Sequence, residues 1–358
     1  MNAFAERIRA FSANKGAAPV PPCVTPKPPE PAPEEPAPAP FALNGHDLFG
    51  NPIDDRTSPL SRRFGATPFT IFNAREGEWS VRKQQWVAYG IESEVGRKEK
   101  LTYTIDFSKY KEKNRDSAFT RGTSVFDPVL TEMVYKWFVP AGGQIIDPFA
   151  GGSVRGIIAA LLQLKYWGCD LSSDQIAANN GQADALIPSR YPRPAWIVGD
   201  SREKVIEAPE ADFLFSCPPY GNLETYSDDP RDISGYEYDA FLASYEEIID
   251  AAVARLRDNR FALFVVANFR DKRTGLYHDF VGDTVRIFER AGLGFYNEAV
   301  LVTVCGSAPI RAANIFESGR KLVRTHQNVV MFVKGDWRVA ARAARRENEE
   351  LEIAKEFQ

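Results

Sequence analysis

The sequence predicts an α/β fold with a doubly wound, mostly parallel sheet, on three observations. From position 123 onward, short apolar segments alternate with segments whose apolar residues recur at helical spacing. Glycine-rich or acidic turns follow several of the short apolar segments, as expected where strands lead into crossover helices. The segments 295–304 and 328–333 then read as two last strands, which we expect to form a terminal antiparallel pair.

The other predicted elements follow from caps, turns and apolar runs. Asp127 suits the N-cap and Pro128 the first turn of a helix that ends at Phe138, where Pro140 and two glycines follow. The further predicted helices are 78–89, an Ala- and Leu-rich helix that ends near 164, 173–185, 238–256 and 278–291. The further predicted strands are 144–147, 166–169, 196–198, 211–215 and the strongly apolar 261–267.

The chain is predicted to have five parts. Half of the residues from Pro19 to Pro40 are proline, which removes backbone donors and fixes φ, so this stretch is expected to be an extended linker. The segment before it has an amphipathic pattern and is interpreted either as a docking helix or as a disordered tail. The parts are a short, partly helical segment 1–18, a Pro-rich linker and irregular segment 19–64, a polar and aromatic extension 65–122, the α/β domain 123–336 and a charged C-terminal helix 337–358.

Composition and charge restrict the class of function. The formal net charge of −4 argues against a broadly basic surface, so any contact with nucleic acid must use a local patch. The four cysteines form no CxxC pair and the three histidines are dispersed, which predicts reduced thiols and no metal. No apolar run is long enough for a membrane span and the N-terminus lacks a signal-peptide core, so we expect a cytoplasmic protein without membrane contact.

A glycine-rich turn, DPFAGGS at 147–153, lies between a predicted strand and a predicted helix. Glycines let the backbone pass close to a ligand, and the helix N-terminus offers free N–H groups. In an α/β sheet this position lies at the carboxyl ends of the strands, where ligands bind. The GxGxxG pattern of NAD sites and the Gly-Lys-Ser/Thr of P-loops are both absent from the turn.

Two acids follow the next strands. Asp170 lies about twenty residues past the turn, where a carboxylate can accept hydrogen bonds from two ribose hydroxyls. Asp200 follows another short strand, where an acid can accept from an adenine amine. Each acid alone fits equally well as a helix cap. Together with the turn, at the ends of successive strands, the two acids favour a nucleoside cofactor.

The segment FLFSCPPY, residues 213–220, is the most specific motif. Its prolines have no N–H and fix the backbone, so their carbonyls can point rigidly into a pocket and accept from a planar amine. The ring of Tyr220 can stack on a base that has left its helix. The motif predicts a pocket for a planar exocyclic amine, and the alternative is a proline-terminated loop without function.

The DPFAGGS turn, the CDLS acid and the SCPPY loop together resemble the N4-cytosine/N6-adenine DNA methyltransferases, whose turn is usually DPFxGxG and whose loop is [Ser/Asn/Asp]-Pro-Pro-[Tyr/Phe/Trp]. The segments IFNAREGEW, SVFDP, DPFAGGSVRG, SCPPYGNLETYSDDP and THQNVVMFVKG are most similar to a phage and prophage branch of that family. The resemblance covers roughly residues 65–336. It implies a Rossmann-like SAM-dependent methyltransferase fold, with S-adenosyl-L-methionine (SAM) as cofactor and no metal.

The resemblance also implies roles for individual residues. Asp170 would hold the ribose of the cofactor and Asp200 its adenine, with Leu171 and Ser201 beside them. The other implied cofactor-binding residues are Asp147, Phe149, Ala150, Gly151, Gly152, Ser153, Phe126 and Asp127. The implied catalytic pocket consists of Ser216, Cys217, Pro218, Pro219 and Tyr220.

Two residues depart from the family pattern. Ser153 stands where the second glycine of the turn is expected, with Gly152 one place earlier, so the turn is expected to differ in shape. Cys217 stands where the family has Ser, Asn or Asp, and a thiol is a weak acceptor. Positioning of the amine would then rest more on the Pro218 carbonyl, or on Ser216 if the loop shifts. Ser is typical of cytosine N4 and Asp or Asn of adenine N6, so both targets stay open, as does an inactive enzyme.

The implied substrate is double-stranded DNA with a flipped target base. The connection between the last two strands lies where a base-reading loop could contact DNA, and the residues expected to do so are Arg311, Arg320, Lys321 and Arg324. The stretch 75–121 is a second candidate for this contact. We expect a monomer or homodimer that associates with the nucleoid of a bacterial host.

Three other functions remain as alternatives at this stage. The same pocket would suit methylation of a planar nitrogen in RNA or in protein, and Cys217 would suit a degenerate protein that binds SAM or nucleic acid without turnover. A carbon-5 cytosine methylase is disfavoured because it needs a Pro-Cys dipeptide, whereas the order here is Cys-Pro-Pro.

Overall fold

The computed structural model describes residues 59–91, 126–221, 227, 229–303 and 308–344. All of these belong to the compact unit that spans residues 40–358. The predicted segment 1–18, the Pro-rich linker, residues 92–122 of the extension and the last part of the C-terminal helix lie outside the described residues. Within them, no helix combines the length and the apolar character that crossing a membrane requires.

Helices and strands are named here in chain order. The helices are α1 (Pro59–Phe64), α2 (Gly77–Ala88), α3 (Pro128–Phe138), α4 (Val154–Leu161), α5 (Ser173–Leu186), α6 (Ser201–Lys204), α7 (Tyr238–Arg255), α8 (Phe280–Arg290), α9 (Ala308–Gly319) and α10 (Trp337–Ala344). The strands are β1 (Ile71–Asn73), β2 (Gln144–Asp147), β3 (Lys165–Asp170), β4 (Ala195–Val198), β5 (Ala211–Ser216), β6 (Leu256–Val266), β7 (Phe269–Arg270), β8 (Tyr277–His278), β9 (Gly294–Val302) and β10 (His326–Lys334).

The described strands other than β7 and β8 form one sheet in the order β1-β9-β10-β6-β5-β2-β3-β4. From β4 to β6 the neighbouring strands pair in parallel, whereas β10 runs antiparallel to both β6 and β9. Strand β1 lies at one edge and pairs in parallel with β9, and from β2, near the middle of the sheet, the chain adds strands first on one side and then on the other. This topology confirms the predicted Rossmann-like methyltransferase fold, with a mostly parallel sheet and a terminal antiparallel pair.

Alternate residues of each central strand pack on opposite faces of the sheet, as the two-residue period of a strand requires. Ile145 and Phe213 belong to the core that α3 and α4 cover. Ile146 and Leu214 belong to the core that α7 and α8 cover. Both faces are therefore buried, which explains why the central strands read as nearly continuous apolar runs.

Most predicted elements match their observed bounds closely, but β6 begins at Leu256, earlier than predicted. The four residues after Leu256 are polar, and the guanidinium groups of Arg257 and Arg260 donate to Asp212 on β5 at 2.8 and 3.0 Å. Ion pairs rather than apolar contacts hold this part of the strand. Apolar periodicity therefore gave no signal for it.

Several elements were not predicted. Helix α1 lies in the segment 19–64, which was expected to be irregular, and strand β1 lies in the extension 65–122, where no strand was predicted. The β7–β8 hairpin was missed because each of its strands has only two residues. His278 belongs to this hairpin, and the helix predicted to start there begins at Phe280, with Asp279 as its cap. Helix α10 was expected to be exposed, but Ala340 and Ala344 are buried and pack against the core.

Candidate functional site

The predicted cofactor and catalytic segments lie at one edge of the sheet. Strands β2, β3, β4 and β5 run parallel, so their carboxyl ends face the same edge. The turn 147–153 follows β2, Asp170 ends β3, Asp200 follows β4, and the loop 217–220 follows β5. The fold thus brings together motifs that are far apart in the sequence.

The glycine-rich turn is anchored to β3 and α5. Gly151 has a φ of +51°, in the left-handed region that favours glycine, and a methyl group placed on it would meet nothing within 4 Å. Its N–H donates to Asp170 Oδ2 at 3.0 Å, and its carbonyl accepts from Asn179 Nδ2 at 2.8 Å. The N–H of Ala150 donates to the Cys169 carbonyl at 2.9 Å. The turn is therefore fixed while the space in front of Gly151 stays open.

Ser153, the departure from the family glycine, causes no backbone strain. Its φ of −71° and ψ of −17° are ordinary helical values that any residue adopts. Its side chain is buried, and the hydroxyl donates to Gln182 Oε1 at 3.0 Å. The positive φ falls on Gly151 instead, and Gly152 is half-buried beside it. This serine therefore joins the start of α4 to α5.

Asp147 lies beneath the turn and is fully buried. It accepts from Arg155 Nε at 2.5 Å, from the Tyr166 hydroxyl at 2.7 Å and from the Ser216 hydroxyl at 2.5 Å. Each of its oxygens is engaged inside the protein. The structure therefore places Asp147 behind the turn, where it holds neighbouring segments in position.

Arg155 is a residue of the candidate site that the motif analysis missed. It is buried on α4, and its Nη2 donates to the carbonyls of Phe149 and Ala150 at 2.7 and 2.9 Å. The Phe126 ring lies 4.4 Å from its guanidinium carbon. Burial acts to lower the pKa of Arg155, but the Asp147 carboxylate outweighs it and raises the pKa above its ordinary value. The sequence feature that could have identified it is an arginine in the first turn of an otherwise apolar helix.

Ser216 connects the turn to the end of β5. It is fully buried, donates to Asp147 and accepts from the N–H of Phe149 at 3.1 Å. The ring of Phe149 is half-buried and lies 5.9 Å from that of Tyr245. In this arrangement the Ser216 hydroxyl faces the interior of the protein. It fits a positioning role better than direct contact with a substrate amine.

Asp170 differs from Asp147 and Asp200 because it is partly exposed and forms no ion pair among the described residues. Its carboxylate accepts from the backbone N–H groups of Gly151 and Ser172 at 3.0 and 2.8 Å, and its side chain is partly exposed. Burial raises the pKa of Asp170, and the two N–H donors offset this only in part. Leu171 follows it and is half-buried. A desolvated carboxylate with unused lone pairs favours further hydroxyl donors.

Asp200 makes more hydrogen bonds within the protein than predicted. Both of its oxygens accept from the Arg202 guanidinium, and one also caps α6 by accepting from the Arg202 N–H at 3.0 Å. Burial acts to raise the pKa of Asp200, but the hydrogen bonds from Arg202 outweigh it and lower the pKa. The neighbouring Ser201 hydroxyl donates to the Pro148 carbonyl at 2.5 Å, which ties this segment to the turn.

The two residues before α3 have different surroundings. Phe126 is half-buried over Arg155. Asp127 is buried, caps α3 as predicted, and accepts from Trp79 Nε1 at 3.1 Å and from Lys83 Nζ at 3.0 Å. The expected cofactor contact of Asp127 therefore competes with its role in joining α2 to α3.

The loop 217–220 lies at the carboxyl end of β5. Cys217 is half-buried with its Sγ 3.6 Å from the Tyr220 hydroxyl, and Pro218 is buried while Pro219 is partly exposed. The Tyr220 hydroxyl accepts from Gln327 Nε2 at 2.7 Å. The ring of this tyrosine is therefore fixed from the neighbouring part of β10.

Gln327 was not identified from the sequence, because nothing in THQNVV marks it as close to residue 220. Cys169, in contrast, is buried under the turn, where burial raises the pKa of its thiol to about 12. That thiol is therefore protonated and unreactive at neutral pH. Of the two cysteines among the described residues, only Cys217 lies at the candidate pocket.

The four predicted DNA-contacting residues lie on α9 and on the connection that follows it. Arg320 and Lys321 are exposed, and Arg324 is partly buried with its Nη1 3.1 Å from His326 Nε2. Arg311 belongs to α9, and its side chain lies outside the described part of the structure. Contact of these residues with DNA stays a prediction.

Comparison with known proteins adds little to this geometry. No family model and no curated protein matches the sequence. Among solved structures, TrmN from Thermus thermophilus is similar at 16% identity and a TM-score of 0.38, over 58% of this chain and 48% of that one. The chain therefore spans about half the length of that protein.

Two further solved structures are similar at the same level. Precorrin-6y C5,15-methyltransferase from Geobacter metallireducens has 13% identity and a TM-score of 0.39, over 61% of this chain and 92% of that one. A Thermus thermophilus protein described as a candidate DNA modification methylase has 21% identity and a TM-score of 0.29, over 39% of this chain and 53% of that one. Scores this low assign no function, so the fold rests on the sheet topology and the function on the site.

Proposed function

We propose that this chain is a SAM-dependent methyltransferase whose substrate is the exocyclic amine of a base in DNA, either N4 of cytosine or N6 of adenine. One observation carries the proposal: the loop 217–220 directly follows β5, at the edge where the glycine-rich turn and Asp170 lie. The segments proposed to bind a nucleoside and a planar amine would therefore be adjacent, as methyl transfer between two bound molecules requires.

The residues at this edge fit SAM. The open space in front of Gly151 leaves room for the methionine part, since a methyl group there would meet no atom within 4 Å. The Asp170 carboxylate has no ion-pair partner among the described residues and has lone pairs for the two ribose hydroxyls. Asp200 would accept from the adenine amine with the capacity that Arg202 leaves.

The catalytic loop would position the acceptor amine. SAM would supply the methyl group of its sulfonium, S-adenosylhomocysteine would leave as a neutral thioether, and one proton of the amine would be released to solvent. The Pro218 carbonyl and the Cys217 thiol would accept from the two amine hydrogens, which moves the nitrogen toward tetrahedral geometry and frees its lone pair. Tyr220, held by Gln327, would stack on the base. Orientation of the two reactants is then the main source of the rate enhancement.

Two alternatives use the same pocket. A planar nitrogen in RNA or protein would make the same hydrogen bonds, so the polymer decides between these substrates. A degenerate protein would bind SAM without turnover, and Cys217, a weaker acceptor than the family residues, is the feature that favours it.

The decisive experiment is mass spectrometry of nucleosides from plasmid DNA that is grown with this protein in a host without its own methylases. A double variant, Cys217→Ala with Pro218→Ala, is the control. N6-methyladenine or N4-methylcytosine that disappears in the control supports the reaction and identifies the base. Absence of both from DNA, with a soluble protein that binds SAM, overturns the DNA assignment.

A further inference from the structure

Two cationic segments meet beside the catalytic loop. The first is the β7–β8 hairpin, residues 269–278, with the sequence FRDKRTGLYH, which has three Lys or Arg residues and one acid. The second is the segment 320–324, RKLVR, which has three Lys or Arg residues and no acid. We refer to these two segments together as the cationic face.

Side-chain contacts join the two segments. The guanidinium of Arg270 lies 3.9 Å from the centre of the Tyr277 ring, and that of Arg324 lies 5.6 Å from the same ring. A methyl group at Gly275 would come within 2.7 Å of Lys321 Nζ, so the tip of the hairpin lies against the second segment. The hairpin and the second segment are therefore one surface, although about forty residues of sequence separate them.

The cationic face abuts the catalytic loop at two places. A methyl group on Gly221, the residue after Tyr220, would lie 2.5 Å from the ring of Phe269, where the hairpin begins. On the other side, Gln327 donates to the Tyr220 hydroxyl at 2.7 Å, three residues after Arg324. A polymer lying on this face would thus pass directly by the candidate pocket for the target base.

Four cations of this face have no carboxylate partner in the described part of the protein. Among the described residues, no ion pair with a carboxylate is formed by Arg270, Arg320, Lys321 or Arg324, whereas Arg286, for comparison, forms two. The Arg324 Nε is buried without an acceptor among those residues. Unpaired cations next to a catalytic pocket indicate an anionic partner, and phosphate oxygens are the acceptors that arginine prefers.

Apolar side chains project between these cations. Leu276 at the tip of the hairpin is 70% exposed and Leu322 is 73% exposed, and the ring of Tyr277 is 46% exposed. Proteins that unstack a duplex combine phosphate contacts with apolar side chains that enter the base stack. A combination of unpaired cations and exposed leucines fits a nucleic-acid duplex better than a purely acidic protein partner.

We propose that the cationic face holds duplex DNA beside the catalytic loop, and that Leu276 enters the base stack at the target site. This inference rests on the proposed function, since it supplies the surface from which the target base would reach the pocket. Lys321 and Arg270 contact phosphates, and Tyr277 keeps the hairpin and the connection in register.

Binding to a fluorescent DNA duplex at several salt concentrations tests the cations. The double variant Arg270→Gln with Lys321→Gln is compared with Lys165→Gln with Arg338→Gln, two exposed cations at the opposite edge of the sheet. We expect the first pair to weaken binding at least tenfold and to lower the slope of log affinity against log salt by about 2, roughly one for each lost phosphate contact. The second pair should leave both unchanged. Equal effects of the two pairs, or tighter binding to duplex RNA than to duplex DNA, would overturn the proposal.

Methylation kinetics test Leu276. Leu276→Ala is compared with Ile206→Ala, a similarly exposed residue on the connection between β4 and β5. We expect Leu276→Ala to slow methylation of a matched duplex about tenfold and to leave methylation of the single strand unchanged, because a single strand has no stack to open. A slowdown on both substrates, or none on the duplex, overturns the role of Leu276. If the native protein methylates no DNA but binds the duplex with the expected dependence on Arg270 and Lys321, the proposed reaction fails while the binding surface stands.

Discussion

Arg155 and Asp147 form a buried ion pair beneath the glycine-rich turn, with Nε 2.5 Å from Oδ2. The same guanidinium donates to the carbonyls of Phe149 and Ala150. One side chain thereby joins the end of β2, the backbone of the turn and the start of α4. Because the turn carries the candidate cofactor site, this pair couples the stability of the fold to the shape of the site.

Replacement of Arg155 should therefore affect both stability and binding. Arg155→Met leaves the Asp147 carboxylate buried without a counter-charge, which costs about 3 to 5 kcal/mol of unfolding free energy. We expect urea denaturation to show this loss and calorimetry to show weaker SAM binding. Adding Asp147→Asn to Arg155→Met should restore part of the stability, since the unpaired charge is removed. A loss below 1 kcal/mol would contradict the importance of the pair.

Gly151→Ala distinguishes the effect of backbone strain on stability from the effect of a new methyl group on SAM binding. A left-handed φ of +51° costs a non-glycine residue about 1 kcal/mol, and no atom within 4 Å would clash with the new methyl group. We expect a small loss of unfolding free energy but at least a tenfold loss of SAM affinity, because the methyl group enters the proposed methionine space. Gly181→Ala, at a helical glycine that also has open space, is the control. Equal SAM affinities in the two variants would argue against a cofactor in front of Gly151.

Gln327 is expected to act only through Tyr220. Gln327→Leu removes the donor 2.7 Å from the Tyr220 hydroxyl, so the ring loses its fixed orientation. We expect methylation to slow about fivefold, equivalent to one net hydrogen bond of about 1 kcal/mol, with SAM affinity unchanged. Tyr220→Phe should show a similar effect, and the double variant should be no slower than either single one. Additive effects would show that Gln327 has a separate role.

Cys217→Ser should raise the methylation rate. A hydroxyl accepts hydrogen bonds better than a thiol, so the amine would be held more firmly at the same place. We expect kcat to rise about fivefold, which corresponds to one stronger hydrogen bond. Cys217→Ala, which lacks the acceptor, should lower kcat. If serine and alanine reduce kcat equally, then the thiol makes a contact that a hydroxyl cannot replace.

A second buried charge, Glu132 on α3, predicts a dependence of stability on pH. It accepts from Arg82 Nε at 2.6 Å, from Lys136 Nζ at 2.8 Å and from Trp86 Nε1 at 3.0 Å. Burial acts to raise the pKa of Glu132, but the two cations outweigh it and lower the pKa from 4.5 to about 2. The folded-state pKa is depressed, so the stabilisation is complete above pH 4.5 and is lost as the pH falls toward 2.

The expected size of this effect is roughly 3 kcal/mol at neutral pH. Unfolding of the native protein and of Glu132→Gln should be compared from pH 7 down to pH 2.5. The native protein should lose its advantage progressively below pH 4.5. A difference in unfolding free energy that does not change with pH would show that hydrogen bonding rather than charge is responsible.

The sequence by itself determined the fold class and the position of the candidate site. The two-residue period of the strands and the helical period between them are local patterns, and they predicted β2 through β5 and the alternation that makes the sheet parallel. Since parallel strands share one carboxyl edge, the DPFAGGS, Asp170, Asp200 and SCPPY segments could be placed together before any coordinates.

Only the tertiary structure decided how these side chains are used. Asp147 and Ser216 belong to motifs that suggest ligand contact, yet both side chains face inward. They hydrogen-bond to each other, and Asp147 also accepts from Arg155 on the next helix. Gln327 and the β7–β8 hairpin contact residues 220 and 221 through packing between segments that are remote in the sequence. Apolar periodicity predicts which face of a helix or strand is buried. It does not predict which distant residue will form the hydrogen bond that a buried polar group needs. That partner depends on where the sheet brings the segments together.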